Sequence, residues 1–194
     1  GKPFLEDLKA VLKRPVRSEN DANCFALSEA VDGAAAGGRV VFGVILGTGC
    51  GGGVVVDRKI VTGANAIGGE WGHTPLPWPR DDEKPVRDWC GRWGCLEQWI
   101  SGTGFKRSFS ISAREADERA RAGDAEARVM LDRHADRVAR SLAVVINILD
   151  PDIIVFGGGV SNVKSLYPSV HGKLLAHIFS DVLHTKLVQN KHGD

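Results

Sequence analysis

Glu70-Trp71-Gly72-His73, followed downstream by Cys90-Gly91-Arg92-Trp93-Gly94-Cys95, gathers one imidazole and two thiols near glycines that permit tight turns. These are donors that Zn²⁺ takes in tetrahedral sites. Four residues separate the thiols, the upper edge of ordinary cysteine spacing for a metal site. Asp88, two residues before Cys90, is the nearest candidate fourth ligand; carboxylates are permitted in structural zinc sites but less usual. The alternative is two buried free thiols and a core histidine. Glu97 follows Cys95 by two residues, and Asn20-Asp21 stands at the head of a helical pattern. Taken singly, these carboxylates have ordinary explanations, and Asp21 would offset a helix dipole.

Two glycine clusters could meet a ligand through bare backbone. Gly47-Thr48-Gly49-Cys50-Gly51-Gly52-Gly53 formally contains GxGxxG. A dinucleotide fingerprint must lead from strand into helix, whereas Val54-Val55-Val56 leads into another strand, so that reading fails on context. No GxxxxGK[ST] phosphate loop is present. What remains is a strand, a glycine turn and a strand, whose N–H groups and Thr48 hydroxyl could cradle phosphate. A tight hairpin needing positive φ is the alternative. The second cluster, Gly157-Gly158-Gly159, sits between a buried strand and a helix start. It would let a flat ligand approach the backbone and would aim a helix N-terminus at an anion, although close packing explains it as well.

The elements that position these residues follow from periodicity. Asp21 to Val31 reads as a helix opened by Asn20 or Asp21. A flexible Gly-Ala-Ala-Ala-Gly-Gly link (33–38) follows, then Val40 to Leu46 and Val54 to Val56 as a buried hairpin. From Asp124, the apolar residues Leu131, Ala135, Val138, Leu142, Ile146 and Leu149 recur at helical spacing, ended by Asp150-Pro151. Their stripe reads as core, though the helix could serve a homodimer. Ile153 to Phe156 is a short strand, and Ser161 a cap for a further helix. All five tryptophans and four of the eight prolines fall between residues 71 and 99, a stretch that cannot hold a long helix. Something other than regular hydrogen bonding must fix it.

Composition narrows the class. A 194-residue chain, 43% hydrophobic and 25% charged, has the makings of a soluble α/β domain. A net charge of +1 gives no electrostatic case for nucleic acid or a membrane surface. The longest charge-free apolar stretch, Val40 to Val56, contains six glycines and reads as strands rather than a membrane span. The first residues lack a signal-peptide core, and four cysteines do not suggest a disulfide scaffold, so the expectation is cytoplasmic.

In order along the chain, five segments resemble the ROK family of sugar kinases, its bacterial fructokinases above all: Glu19 to Ala30, Leu46 to Gly53, Gly69 to Trp78, Cys90 to Glu97 and Asn147 to Gly159. The resemblance implies an actin-like (ribonuclease-H-like) ATPase fold. Residues 1–36 would then end the first lobe and carry the interlobe helix, and 37–194 would form the second α/β lobe, including a zinc- and sugar-binding module at 69–101. It also implies roles. Asp21 would be the general base, and Asn20, Glu70, His73 and Glu97 would hold the sugar. Thr48, Gly49, Cys50 and Gly51 would bind ATP phosphates with Mg²⁺, and Gly157, Gly158 and Gly159 would lie beside the adenosine. His73, Cys90 and Cys95 would bind structural zinc. The reaction implied is ATP-dependent phosphorylation of a hexose, fructose to fructose 6-phosphate first. The alternatives are an N-acetylglucosamine, glucose or mannose kinase, or a sugar-sensing repressor.

Two departures stand out. Where the family has Cys-x-Cys-Gly, this chain has Asp88-Trp89-Cys90-Gly91, so zinc would accept Asp88, bind more weakly or be missing. The family's N-terminal Asp-x-Gly-Gly-Thr phosphate loop is absent from these 194 residues. The expectation is therefore a fragment that does not turn over alone.

Overall fold

The computed structural model describes residues 3–192. Helices α1 (Phe4–Leu12) and α2 (Asp21–Val31) precede strands β1 (Val40–Leu46), β2 (Cys50–Val56) and β3 (Lys59–Ile60). After the Trp/Pro-rich segment come α3 (Glu97–Ile100), α4 (Gly102–Phe109), α5 (Ala113–Arg121) and the long α6 (Ala125–Leu149). Strand β4 (Ile153–Gly157), helix α7 (Leu166–Leu174) and strand β5 (Lys186–Gln189) complete the order. The sheet runs β3-β2-β1-β4-β5, antiparallel among the first three strands and parallel from β1 through β4 to β5.

Both faces of the sheet are covered. Phe25, Ala26 and Ala30 of α2 pack with Val41, Val55, Ile153 and Val155 on one side. Phe42, Val44, Leu46 and Phe156 face α6 and α7 on the other, through Val138, Leu142, Val170 and Leu174. Helix α6 begins and ends as its sequence dictates: Asp124 accepts hydrogen bonds from the Glu126 and Ala127 amides, and Asp150 closes it in the left-handed region at φ 46°. Ala135, Val138 and Leu142 of its apolar stripe are fully buried, so the stripe is core.

The glycines of the first cluster serve packing. None of Gly47, Gly49, Gly51, Gly52 or Gly53 has positive φ, and β2 starts at Cys50 rather than Val54. A Cβ on Gly53 would stand 2.6 Å from the Ala22 carbonyl oxygen, and one on Gly43 2.6 Å from Ala26 Cβ. Helix α2 thus lies almost in contact with the sheet backbone, which only glycine allows. On the opposite face, Trp71 fills the space over Gly52 and donates its indole N–H to Gly51 O at 2.8 Å.

Three local expectations need correction. The 33–38 link is an ordered turn, because Ala35 is buried, its N–H donates to Glu29 O, and the Glu29 carboxylate accepts the Ala34, Lys191 and His192 amides. Gly157 is the last residue of β4, and a 3₁₀ turn (Gly159–Asn162) follows it. Ser161 lies inside that turn and caps nothing; α7 starts at Leu166 without a side-chain cap.

Candidate functional site

The Trp/Pro-rich segment is held by short backbone clips rather than by extended structure. Residues 74–76 pair with 94–96 through the Leu76 amide to Gly94 O (3.0 Å) and the Leu96 amide to Thr74 O (2.8 Å). Residues 86–88 pair with 92–94, turning at Gly91 with φ 86°. The first clip sets His73 against Cys95, and the second sets Asp88 and Cys90 against both. Ligand atoms of His73, Asp88, Cys90 and Cys95 all lie within 4.8 Å of one another.

The cluster has the dimensions of a metal tetrahedron. Cys90 Sγ and Cys95 Sγ are 3.7 Å apart, where two Zn–S bonds at tetrahedral angle require about 3.8 Å. His73 Nδ1 and Asp88 Oδ2 are 3.2 Å apart, where Zn–N and Zn–O bonds require about 3.3 Å. Nδ1 is buried and makes no directed hydrogen bond despite that closeness, as expected of lone pairs converging on a common point. The other Asp88 oxygen accepts from Gln98 Nε2 at 2.6 Å, and Gln98 in turn accepts from Arg107. Such an outer partner fixes the orientation of a ligating carboxylate. Burial works against the Asp88 charge, but hydrogen bonds from Cys90 and Gln98, with His73 nearby, hold its pKa down at about 2. Burial pushes the Cys95 thiol up to about 12, with Cys90 and Asp88 adding to the effect.

Of the expected sugar ligands, His73 belongs to this cluster and Glu97 is tied to it through Trp89. His73 closes a 3₁₀ turn (Trp71–His73) docked on β2, where a Cβ on Gly72 would meet Cys50 O at 2.0 Å. Glu70, preceding it, is exposed. Glu97 opens α3, its Oε2 accepting the Cys50 amide at 2.9 Å and its Oε1 the Trp89 indole N–H at 2.7 Å. Asn20 is the N-cap of α2, with Oδ1 bonded to the Ala22 and Asn23 amides. Asp21 is the first helical residue and is exposed, with Oδ1 accepting the Ala22 amide at 2.8 Å. The first turn of α2 overlies Gly51, next to the Cys50 amide that holds Glu97: a Cβ on Gly51 would stand 3.2 Å from Ala22 Cβ.

A cavity of about 1090 Å³ opens beyond the β1–β2 turn, and Thr48 and Gly159 both line it. Among the remaining glycine-cluster residues, Gly49 abuts the Glu97 carboxylate, Gly51 faces Ala22, and Cys50 is buried. A Cβ on Gly157 would strike the Phe25 ring at 2.8 Å, and Gly158, at φ 79°, presses on the Leu46–Gly47 backbone. Sequence reasoning missed other residues that line the cavity, Thr103, Lys106 and Arg107 of α4 and Arg114 of α5. Isolated basic residues on short helices carry no local signal that they converge.

A second missed feature anchors the module. Arg137 and Arg140 of α6 are buried and grip the equally buried Glu83, at 2.8 and 2.9 Å. Arg140 also donates to the Pro77 and Trp78 carbonyls at 2.8 Å and pairs with Asp136. Burial opposes the Glu83 charge, but the Arg80 amide and the two guanidinium groups keep its pKa below the usual glutamate value.

Among the described residues, no helix is long and apolar enough to cross a membrane. The ROK family model matches residues 1–194. N-acetyl-D-glucosamine kinases of Photobacterium profundum and Shigella flexneri are each 39% identical over 205 residues, with 100% of this chain and 68% of theirs aligned. A ROK hexokinase structure from Thermus thermophilus superposes with a TM-score of 0.85 at 30% identity, over 98% of this chain and 65% of that one. A ROK family glucokinase from Streptomyces griseus, solved with glucose and AMPPNP, gives 0.80 at 25% identity, over 98% of this chain and 68% of that one. This chain therefore spans about two thirds of the length of the relatives it matches. With the family model matching from end to end and relatives at 39% identity, the chain belongs to the ROK family.

Proposed function

We propose that this chain carries the sugar- and metal-binding part of an ATP-dependent hexose kinase whose substrate is N-acetyl-D-glucosamine. One observation carries the reading: a single turn, Gly47 to Cys50, borders both halves of a phosphoryl transfer. On one side Thr48 lines a cavity walled by Lys106, Arg107 and Arg114, suited to a polyphosphate. On the other, the Cys50 amide fixes Glu97 beside the His73 and Trp89 rings, suited to a polyhydroxyl ligand. The motifs alone favour fructose. The kinases of Photobacterium profundum and Shigella flexneri, at 39% identity, carry the name N-acetyl-D-glucosamine kinase and favour the acetylated sugar.

In this mechanism Asp21, exposed at the head of α2, accepts the proton of the attacking hydroxyl. The free amide nitrogen of Asn20, Glu70, His73 Nε2 and Glu97 hold the sugar so that this hydroxyl faces the γ-phosphate. Thr48 and the α4 cations orient the triphosphate, and Gly159 leaves room beside the base. Mg²⁺, bound with ATP, would offset the phosphate charge. Zn²⁺ suits the His73, Asp88, Cys90 and Cys95 donors and would act structurally, fixing the His73 ring and, through the short Cys95–Glu97 link, the Glu97 carboxylate.

The test is ADP release by the complete gene product with ATP and Mg²⁺, offered N-acetylglucosamine, glucose, mannose and fructose. Turnover led by N-acetylglucosamine, reduced by about 10³-fold in Asp21→Ala, is the expected result. Turnover led by fructose would restore the motif-based reading. A folded protein inactive on every sugar would favour a sugar-sensing regulator.

A further inference from the structure

Three indoles of the Trp/Pro-rich segment are exposed: Trp78 (54%), Trp89 (78%) and Trp93 (64%). Trp78 is stacked on His177, with ring centres 5.5 Å apart. Trp89 differs in being fixed while most of its ring stays exposed. Its Nε1–H donates to Glu97 Oε1 at 2.7 Å, and its ring meets His73 edge to face at 5.2 Å. Asp88 and Cys90, its chain neighbours, both belong to the metal-ligand cluster, so the backbone on either side is held as well. Trp89 stands at the edge of a groove of about 1070 Å³ that it shares with Glu70 and His73, the rest of which is mostly apolar and walled by Phe42, Val54 and the α6 residues Val144, Val145 and Ile148. An exposed indole clamped at its N–H and along its backbone presents a rigid apolar plate beside the Glu97 carboxylate.

We propose that Trp89 is a specificity-determining residue for the sugar, its open face stacking on the C–H face of a gluco-configured pyranose; this rests on the kinase reading above. In the β-pyranose forms of glucose and N-acetylglucosamine every ring substituent is equatorial, so both ring faces carry only axial C–H bonds; the α anomers add one axial hydroxyl at C1. The axial C–H bonds are weakly positive and complement the negative face of an aromatic ring. A fructofuranose has no such face, because its substituents project above and below the ring. The Trp89–Glu97 hydrogen bond couples the plate to a carboxylate that receives sugar hydroxyls, so stacking and hydrogen bonding read the same ring from two sides. An apolar plate discriminates through the ratio of kcat/KM values, at the scale set by a lost hydrophobic contact.

The experiment compares wild type, Trp89→Ala and Trp89→Phe as complete gene products, by sugar calorimetry without ATP and by steady-state kinetics, with metal content measured on each sample. Trp89→Ala is expected to weaken N-acetylglucosamine and glucose binding about tenfold, with kcat within about twofold of wild type, and to spare fructose. KM for ATP and metal content stay unchanged. Trp89→Phe, which keeps a ring face and loses the N–H, recovers most of the affinity. Equal affinity in wild type and Trp89→Ala overturns the inference and leaves the kinase reading standing. A loss that tracks metal content also overturns it, by assigning the effect to the ligand cluster. A wild type that binds no sugar removes the kinase reading itself, and this inference with it.

Discussion

The sheet with α2 and the Trp/Pro-rich segment solve the same problem by opposite means. Between α2 and the sheet, backbone approaches backbone: Gly43, Gly51 and Gly53 remove side chains so that Ala22 and Ala26 can close on the strands. The 71–96 segment has only short backbone clips, and side chains supply the rest of its hold. Trp71 plugs it onto β2, Glu83 and two arginines tie it to α6, and four ligand atoms converge at its centre. The first solution tolerates no added atoms; the second tolerates no lost charges. The expected sugar ligands sit where the two meet, on α2's first turn and at Glu97 against Cys50.

That contrast can be broken from either side. The largest effect is expected in the segment's anchor. Glu83→Ala strands Arg137 and Arg140 in the interior and should cost about 3–5 kcal/mol, measured by chemical denaturation. A change below about 1 kcal/mol would mean that water or neighbouring groups already satisfy the arginines. Next is the sheet. Gly53→Ala forces a methyl to within 2.6 Å of the Ala22 carbonyl oxygen and should cost about 1–3 kcal/mol. The same change at Gly159, which has open space around it, should leave stability nearly unaltered. The candidate metal site sharpens the comparison further. Elemental analysis should find one zinc per chain, lost in Cys90→Ala, while amide exchange protection of β1 and β4 persists. A zinc content near zero in wild type, with sugar binding intact, would reduce the cluster to a hydrogen-bonded core.

A smaller effect than those of Glu83 and Gly53 is expected at His134, fully buried beside Phe105 with neither ring nitrogen bonded. Burial, helped by Arg137, pushes its pKa down from 6.5 to about 3. The fold therefore keeps His134 neutral while the unfolded chain protonates below 6.5. Stability contributed by the neutral ring is present above pH 6.5 and declines as pH falls toward 3. The depressed Glu83 carboxyl acts in the same direction at lower pH, its ion pairs weakening as pH falls through and below 4.5. His134→Leu should stabilise the fold by about 1 kcal/mol at neutral pH and flatten the decline between about pH 6.5 and 4.5. An unchanged acid limb would show that His134 is not the group responsible.

The legible parts of the molecule were those written in local pattern. Asn20-Asp21 is a helix start because a short polar side chain accepts the orphan amides of the first turn, and Asp124 repeats the device on α6. Asp88, Cys90 and Cys95 fall close enough in sequence for their donor chemistry to announce itself, and His73 completes the set across one clip. The glycine cluster was visible as an anomaly but its reason was not. A composition that suggests positive φ in fact permits helix α2 and Trp71 to approach opposite faces of one strand, and no single sequence states which element will cover it.

By itself, then, the sequence determined the helices and strands with caps and clean periodicity, the donor set of the candidate metal site, and a family signature spread over five ordered motifs. Tertiary structure alone decided the rest, because those contacts join residues distant along the chain and of ordinary type. Lys106 and Arg107 line one cavity with Thr48, Glu83 draws two arginines into the interior, and Trp89 locks onto Glu97. A charge on a helix looks the same in sequence whether water or a buried partner surrounds it, and only the fold brings the partner within reach.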